Sequence, residues 1–339
     1  GLAVAPDGLV YSVHFDEGAV RRWTPDGLPA SSVGREGEGP GEFQRPGALG
    51  FFGDSLWVMD TYAYRVSYFD LEGTFLGTTT PRIDLGGAAD DPFALPPRPS
   101  RPLRDGTFYG QSPGLSDAVA RGQLTEAPHV HMDAQGTPTR TLWVQPYRTT
   151  DVLALLRETG GSFSSQPFGD QPLHSLTLDG NLVVVERRAH EGPGQGTLRV
   201  TRISMTGDTL LHREIPYDPV PLDPRRADSV AEASAERMHS FLSRMDPGMS
   251  VAALAEQLRE ATYVPQHLPP VGSMQVAADG SIWLRRFDPT AEGHEWWILD
   301  PAGEPRGRAV TPAGLRILLI AGDKVWGVET DLTAANVAR

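Results

Sequence analysis

The chain has 339 residues, a formal net charge of −13 and no cysteine. The lack of cysteine excludes disulfides, thiolate catalysis and zinc–thiolate sites. Acidic side chains are spread along the chain and repel phosphate, so nucleic acid is not an expected partner. No apolar run approaches the roughly 18 residues that a membrane-spanning helix needs, so we expect no membrane span in this sequence.

Turns that contain glycine beside aspartate recur along the chain, and each precedes a β-like run. Glycine supplies the positive φ of a tight turn, so each of these sites predicts a β-hairpin. The turns that open a unit are Asp7-Gly8, Gly53-Asp54, Asp105-Gly106, Asp179-Gly180, Asp279-Gly280 and Gly322-Asp323. A second turn follows most of them, at Gly27, Gly73, Gly136, Gly207 and Gly303. Each unit therefore reads as strand, turn, strand, loop, strand, turn, strand.

Four short antiparallel strands that repeat about every 40 to 50 residues are typical of β-propeller blades. A β-sandwich also contains many short strands, but it does not repeat this pair of turns in register. Because six turns open units, we predict an all-β fold, a six-bladed β-propeller of four-stranded antiparallel blades. We assign residues 1–339 to a single domain.

The segment GREGEGPGEF, residues 34–43, is rich in glycine and raises the question of a phosphate-binding loop. Such a loop needs a helix behind it, whose free amides and dipole converge on the anion. Two β-runs and a turn follow Phe43 instead. We therefore predict that these glycines shape a crossing between two blades, and we identify no cofactor-binding residue.

The segment VMDTYAYRVSYFDLEG, from Val58 to Gly73, resembles an NHL repeat. The residues that match the repeat are Asp60, Arg65, Val66, Phe69, Asp70 and Gly73. Ala63 stands where the family commonly has asparagine. Overall the chain resembles uncharacterised bacterial six-bladed propellers related to NHL domains. The resemblance implies a propeller that is often exported, in which the residues corresponding to Asp60 and Arg65 pair within a blade.

Two segments depart from the repeat. Residues 81–104 contain six prolines, which predicts an extended surface loop without strand pairing. Residues 223–263 predict a helical hairpin near residues 226–262, inserted between blades four and five. Its first helix would be capped at Asp228-Ser229 and would end at Pro247-Gly248, and its second would be capped by Ser250.

The apolar stripe of the second predicted helix must be buried against another part of the molecule. Its members are Val251, Leu254, Ala255, Leu258 and Ala261. Packing on the propeller face is our expectation. A cover over the channel mouth and an arm that binds a partner remain alternatives.

The best metal candidates are His129 and His131, because side chains at positions i and i+2 of a strand share a face and can converge on one ion such as zinc. Two histidines still leave a site short of ligands. Asp90-Asp91, and Asp60 with Asp16 and Glu17, offer hard oxygen ligands for calcium, although the sequence has no calcium-binding loop motif.

No catalytic residue can be assigned, because no nucleophile motif such as GxSxG occurs. The predicted innermost strands carry mainly small and apolar residues. This favours a non-catalytic binding or scaffold propeller that engages a protein, peptide or glycan partner. The alternative is a metal-assisted hydrolase or lyase with calcium or zinc in the central channel. We expect a periplasmic, outer-surface or extracellular location.

Overall fold

Five four-stranded antiparallel sheets follow one another along the chain, and in each sheet the strands lie side by side in sequence order. This order is that of β-propeller blades. The structure is a computed structural model that describes residues 1–83, 95–157, 160–242, 248, 250–288 and 293–329.

The first three blades follow one another between residues 2 and 146. Blade one contains β1 (Leu2–Val4), β2 (Val10–His14), β3 (Ala19–Trp23) and β4 (Pro29–Val33). Blade two contains β5 (Pro46–Phe52), β6 (Ser55–Asp60), β7 (Arg65–Phe69) and β8 (Phe75–Thr79). Blade three contains β9 (Arg98–Pro102), β10 (Phe108–Gln111), β11 (Glu126–Met132) and β12 (Pro138–Pro146), with the short helix α1 (Ser116–Ala120) between β10 and β11.

A separate hairpin of β13 (Val152–Arg157) and β14 (Gly160–Ser165) precedes blade four. Blade four contains β15 (Leu173–Leu176), β16 (Leu182–Glu186), β17 (Gly196–Ile203) and β18 (Thr209–Tyr217). Helices α2 (Pro224–Leu242) and α3 (Val251–Ala261) follow. Blade five contains β19 (Val271–Val276), β20 (Ile282–Arg286), β21 (Gly293–Leu299) and β22 (Pro305–Pro312), and a last hairpin contains β23 (Leu315–Ala321) and β24 (Lys324–Glu329).

Apolar side chains between neighbouring blades form the core. Trp57 and Met59 of blade two pack with Phe108 and Val130 of blade three in one such cluster. Similar clusters join blades one and two, three and four, and four and five. Strand β23 lies between β19 of blade five and β1 of blade one. The β23–β24 hairpin therefore fills the arc of the ring between the last and first four-stranded blades.

The prediction of six blades is wrong in its count, because the described residues form five four-stranded blades. The turn at Gly322-Asp323 does form a hairpin, β23–β24, but a hairpin supplies only two strands. A complete blade needs a second turn between its third and fourth strands, and the sequence shows that second turn for only five units. The number of second turns was therefore the correct indicator of the number of complete blades.

Part of the proline-rich segment 81–104 is a strand, contrary to the prediction of an unpaired loop. Residues Arg98–Pro102 form β9, whose Pro102 lies opposite Phe108 of β10. Proline is tolerated on an edge strand because one side of that strand needs no donor. Strand β9 pairs with β10 only, so its other edge leaves room for Pro99 and Pro102.

The segment 34–43 connects β4 of blade one to β5 of blade two, in agreement with the predicted blade crossing. Glu36 and Phe43 form an isolated bridge that closes it into a loop. The Phe43 ring is fully buried in the core between the two blades. Gly34 has φ +73, and a Cβ there would collide with the Phe43 ring.

The predicted helical hairpin is present, but its first helix starts earlier than predicted. Asp223 accepts a hydrogen bond from the Arg225 amide, and Pro224 is the first helical residue, an arrangement that favours helix initiation. The predicted cap residue Ser229 lies inside α2. Its hydroxyl donates to the Arg225 carbonyl. The predicted end at Pro247-Gly248 falls mainly outside the described residues, and α2 is described as Pro224–Leu242.

The second helix agrees with its predicted cap, since the Ser250 hydroxyl accepts a hydrogen bond from the Ala253 amide. Its stripe residues Leu254, Ala255 and Leu258 are buried. They pack against α2 and against Leu153 and Leu155 of β13. The hairpin thus rests on a second insertion, β13–β14, that the turn pattern did not predict.

Gly34→Ala should destabilise the fold more than Gly53→Ala. Both glycines have positive φ, but nothing lies within 4 Å of a Cβ at Gly53, whereas the Phe43 ring blocks a Cβ at Gly34. We expect a loss of about 1 kcal/mol in unfolding free energy for Gly53→Ala and about 3 kcal/mol for Gly34→Ala, where overpacking adds to the backbone strain. Urea unfolding measures both, and equal losses would contradict the packing role of Gly34.

Candidate functional site

The connections between strands divide into two kinds, which lie on opposite faces of the propeller. Tight turns join strand one to strand two and strand three to strand four in every blade. Because the strands are antiparallel, the connections from strand two to strand three, and from each blade to the next, all lie on the opposite face. We call this the upper face. It carries α1, the β13–β14 hairpin and the α2–α3 hairpin, so the upper face over blades three to five is the elaborated one.

A cleft lies on this part of the upper face. It consists of two adjoining cavities of about 370 and 510 Å³, which share Gln145, Ser165, Gln171 and His174. The first cavity extends to Gln111, Ser112 and Tyr147. The second extends to Arg187, Arg285 and Phe287 of blades four and five. Volumes of this size are typical of sites for small molecules or for short segments of larger ligands.

A buried chain of polar groups forms the wall between blades three and four. The Tyr109 hydroxyl contacts His129 Nδ1, and His129 Nε2 lies 3.2 Å from Gln145 Oε1. Since a carboxamide oxygen only accepts, this assignment places the proton of neutral His129 on Nε2 and makes Nδ1 an acceptor for Tyr109. The ring of His174 meets that of His129 edge-on, with centroids 4.4 Å apart.

Burial governs the protonation of these groups. Desolvation, followed by the nearby His174, lowers the pKa of His129 to about 4. Burial likewise lowers the pKa of His174 and raises the pKa of Tyr109. All of these groups are neutral at physiological pH, so this wall offers hydrogen bonds rather than charge.

A network of ion pairs holds the connections that surround the cleft. Arg188 Nη1 lies 3.1 Å from Oδ1 of Asp151 and 3.1 Å from Oδ1 of Asp170. Arg148 contacts the same two carboxylates, which are almost fully buried. The Ala189 amide also donates to Asp170 Oδ2. The network therefore ties together three segments: the one that leaves blade three, the one that enters blade four and the one that joins β16 to β17.

The end of α3 is fastened to the same region. The buried Gln166 side chain donates from Nε2 to the carbonyls of Val152 and Ala261, and its Oε1 accepts from the Tyr263 amide. The Tyr263 ring lies 5.4 Å from the guanidinium carbon of Arg148. The helical hairpin therefore contacts the border of the cleft through defined hydrogen bonds.

The structure gives the predicted metal candidates His129 and His131 separate partners. His131 lies near the opposite face, where Nδ1 is 2.8 Å from the Thr139 hydroxyl and Nε2 is 3.0 Å from the Thr107 hydroxyl. Residues i and i+2 are about 6.6 Å apart along a strand, which allows such different surroundings. His129 is brought together with His174 instead, and a metal at His129 and His131 stays a prediction.

The acidic candidates for calcium are also engaged. Asp60 is fully buried, and its Oδ1 accepts from the amides of Tyr62 and Ala63 while its Oδ2 accepts from the Gln44 amide. Glu17 forms an ion pair with Arg21 at 2.6 Å, and Asp16 lies beside it in a 3-10 turn. Asp90 and Asp91 lie outside the described residues. Across the part of the chain that is described, no three His, Asp or Glu side chains form a metal-binding group.

The side chains of Asp60 and Arg65 make structural contacts, each with its own backbone partners. Arg65 donates from Nη1 to the Glu38 carbonyl at 2.9 Å and from Nη2 to the Glu42 carbonyl at 2.6 Å. Each of the two side chains therefore binds backbone of the glycine-rich crossing or its flanks rather than the other side chain. The two residues stand opposite each other in the β6–β7 register, so they pair within blade two through the strand ladder, but the described contacts include no ion pair between their side chains.

The residues of the candidate site that sequence patterns missed are His174, Arg187, Arg285, Asp151 and Asp170. They belong to different blades and connections, so no fixed spacing links them. One signal was available: long connections between predicted blades fall on one face. The insertions therefore indicated that the upper face carries the candidate site, although they did not indicate which residues form it.

Comparisons with known proteins add a few distant likenesses. No protein-family model matches the sequence, and no curated protein is significantly similar to it. The aldose sugar dehydrogenase of Streptomyces coelicolor, in its PQQ-bound form, superposes with a TM-score of 0.41 at 12% identity, over 100% of this chain and 90% of that chain. An inactive variant of virginiamycin B lyase from Staphylococcus aureus, solved with quinupristin, gives 0.40 at 11% identity, over 97% and 90%.

The calcium-binding protein regucalcin from Agrobacterium tumefaciens gives a TM-score of 0.34 at 12% identity, over 95% of this chain and 76% of that chain. Likeness at this level assigns neither an activity nor a ligand to this chain. The propeller assignment rests on the strand order and the packing between blades. Among the described residues, no helix is long and apolar enough to cross a membrane.

The buried His129 should make stability depend on pH. Its pKa is about 4 in the folded protein and near 6.5 in an unfolded chain. As pH falls below about 6.5, the unfolded chain binds a proton that the folded protein does not, so the folded state loses stability until the pH reaches about 4. From pH 7.5 to pH 5 we expect this group to remove about 2 kcal/mol of unfolding free energy.

Urea unfolding of the wild type and of His129→Gln at both pH values isolates this contribution from that of the other histidines. The variant should show a pH dependence smaller by about 2 kcal/mol. An unchanged pH dependence would show that His129 is not its source.

Proposed function

We propose that this protein is a non-catalytic binding propeller that takes a glycan in the cleft of the upper face. The observation that carries the proposal is the cleft itself, two adjoining cavities that share Gln145, Ser165, Gln171 and His174. Amide and hydroxyl side chains can hydrogen-bond the hydroxyls of a sugar. The rings of Tyr147 and Phe287, one in each cavity, offer apolar surface for its ring faces.

The arrangement of charges favours binding over catalysis. Asp151 lines the cleft, but Arg148 and Arg188 both bind its carboxylate. Both oxygens of this carboxylate already accept hydrogen bonds, from the Arg148 amide and from the two guanidinium groups, so they are poorly placed to take a proton from a ligand. The neutral His129 is engaged at both ring nitrogens. Neither the acid nor the histidine is free to act on a ligand.

The alternative is a metal-assisted hydrolase or lyase with calcium or zinc. No observation in the described residues favours it over binding. The NHL-like segment between Val58 and Gly73 supports the proposal that the protein is exported to the periplasm, the outer surface or the medium. The net charge of −13 supports a partner other than nucleic acid.

Filling the cleft should weaken binding. Ser165 is exposed at the end of β14 and borders both cavities, so Ser165→Trp adds bulk to the cleft without removing a buried contact. Ser32→Trp is the matched control, because Ser32 is an exposed strand residue in blade one that borders neither cavity. On a glycan array, we expect the wild type and Ser32→Trp to bind the same glycans and Ser165→Trp to lose at least about tenfold in affinity.

Equal binding by all three proteins would place the ligand outside the cleft, and selection of peptides alone would contradict the glycan assignment. Conversion of a bound glycan to product would favour the enzyme alternative.

Metal analysis of protein purified without chelators completes the comparison. About one calcium or zinc ion per chain, lost in His131→Ala, would also favour that alternative, whereas we expect glycan binding to persist without metal.

A further inference from the structure

Positive charge is in excess along one side of the cleft. The carboxylates of Asp151 and Asp170 are shared by Arg148 and Arg188, which already balance them. Two further arginines, Arg187 and Arg285, line the 510 Å³ cavity. No aspartate or glutamate lines either cavity except Asp151. The larger cavity therefore presents two cations that the surrounding acids do not neutralise.

Arg285 lies at the upper end of β20 and has no acidic partner among the described residues. Its Nη1 lies 3.3 Å from Nε2 of His294, a group that is not an anion. Burial lowers the pKa of Arg285, and burial followed by the charge of Arg285 lowers the pKa of His294. A half-buried guanidinium without a carboxylate is costly unless a ligand completes its hydrogen bonds.

Arg187 is only 5% exposed and is held in a fixed position. Its Nη1 donates to the carbonyls of Gly169, at 2.6 Å, and Val271, at 2.9 Å. Its buried Nε has no hydrogen-bond partner. Burial lowers the pKa of Arg187 to about 10, so it remains protonated at neutral pH. The side chain is thus a fixed cation that contributes positive charge to the wall of the cavity.

We propose that Arg285, supported by Arg187, binds an oxyanion on the ligand of the cleft. The planar donor fork of a guanidinium matches a carboxylate or a phosphate through two parallel hydrogen bonds. This inference rests on the proposed glycan-binding function and narrows it to acidic sugars. The carboxylate of a uronic acid and the phosphate of a phosphorylated sugar share the chemistry that the two arginines recognise.

Calorimetric titration with single compounds tests the proposal and separates the two anions. The probes are glucuronate, inorganic phosphate and uncharged glucose. We expect at least one of the two anions to bind with a Kd below about 10 mM, and glucose to bind at least about tenfold more weakly than that anion. Preference for glucuronate or for phosphate identifies the source of the oxyanion.

Arg285→Gln is the test variant, because it removes the charge and keeps much of the side chain's length and polarity. Arg286→Gln is its control. Arg286 is the next residue of the same strand, is exposed, and donates to Glu295 at 3.1 Å. We expect Arg285→Gln to lose about tenfold or more in affinity for the anion, Arg285→Lys to retain part of it, and Arg286→Gln to bind as the wild type does. Thermal unfolding verifies that each variant is folded.

The inference is overturned if neither anion binds, or if Arg285→Gln binds as tightly as the wild type. Its failure can be distinguished from failure of the proposed function. If Ser165→Trp loses glycan binding while Arg285→Gln binds fully, the cleft remains the proposed site, but the inference that Arg285 binds an oxyanion fails. Unimpaired glycan binding in both variants would overturn both the proposed binding cleft and the oxyanion inference.

Discussion

In every complete blade, the turns between strands one and two and between strands three and four place a glycine with positive φ where the chain reverses, as at Gly8 (φ 88) and Gly27 (φ 81). In blade one a backbone hydrogen bond closes each of these two turns: the Ala5 amide donates to the Leu9 carbonyl, and the Thr24 amide donates to the Leu28 carbonyl. Turns of this kind have little room for extra residues. Insertions therefore concentrate on the other face, which is why α1, β13–β14 and α2–α3 all lie there.

Charge pairing fixes the connections around the cleft, beside the apolar clusters that also border it. Burying two carboxylates is unfavourable unless several donors compensate them. Here Arg148 and Arg188 each contact both Asp151 and Asp170, and the Ala189 amide adds a further donor. Three connections that belong to different parts of the chain are fixed by this one network. A cleft fixed before the ligand arrives loses less conformational entropy on binding.

Much of the fold could be predicted because its determinants are local. A glycine turn beside an alternating run encodes a hairpin within about ten residues, and the Ser250 cap of α3 was readable for the same reason. Blade number was misjudged because the first turns were counted, although the second turns limit the number of complete blades. Strand β9 was missed because proline disfavours central strands, and only tertiary structure shows that Arg98–Pro102 is an edge strand.

The candidate site was largely beyond prediction because its contacts are non-local. His129 was singled out together with its sequence neighbour His131, yet its partner is His174 in the next blade. Which of the adjacent Arg285 and Arg286 faces the cleft depends on the register of β20 against β19 and β21. Alternation implies only that the two point to opposite sides. Proximity of Arg187 and Arg285 follows from packing of blades four and five.

The overall charge and the charge of the cleft have opposite signs, and the two act over different distances. At physiological ionic strength, exposed charges are largely screened beyond about 8 Å, whereas partly buried charges are screened much less. A small ligand with one oxyanion would therefore interact mainly with Arg285 and Arg187 once it is inside. A polyanion would leave most of its charges outside, next to a protein with a net charge of −13. The same distribution of charge that favours a single carboxylate or phosphate in the cleft thus disfavours nucleic acid on the surface.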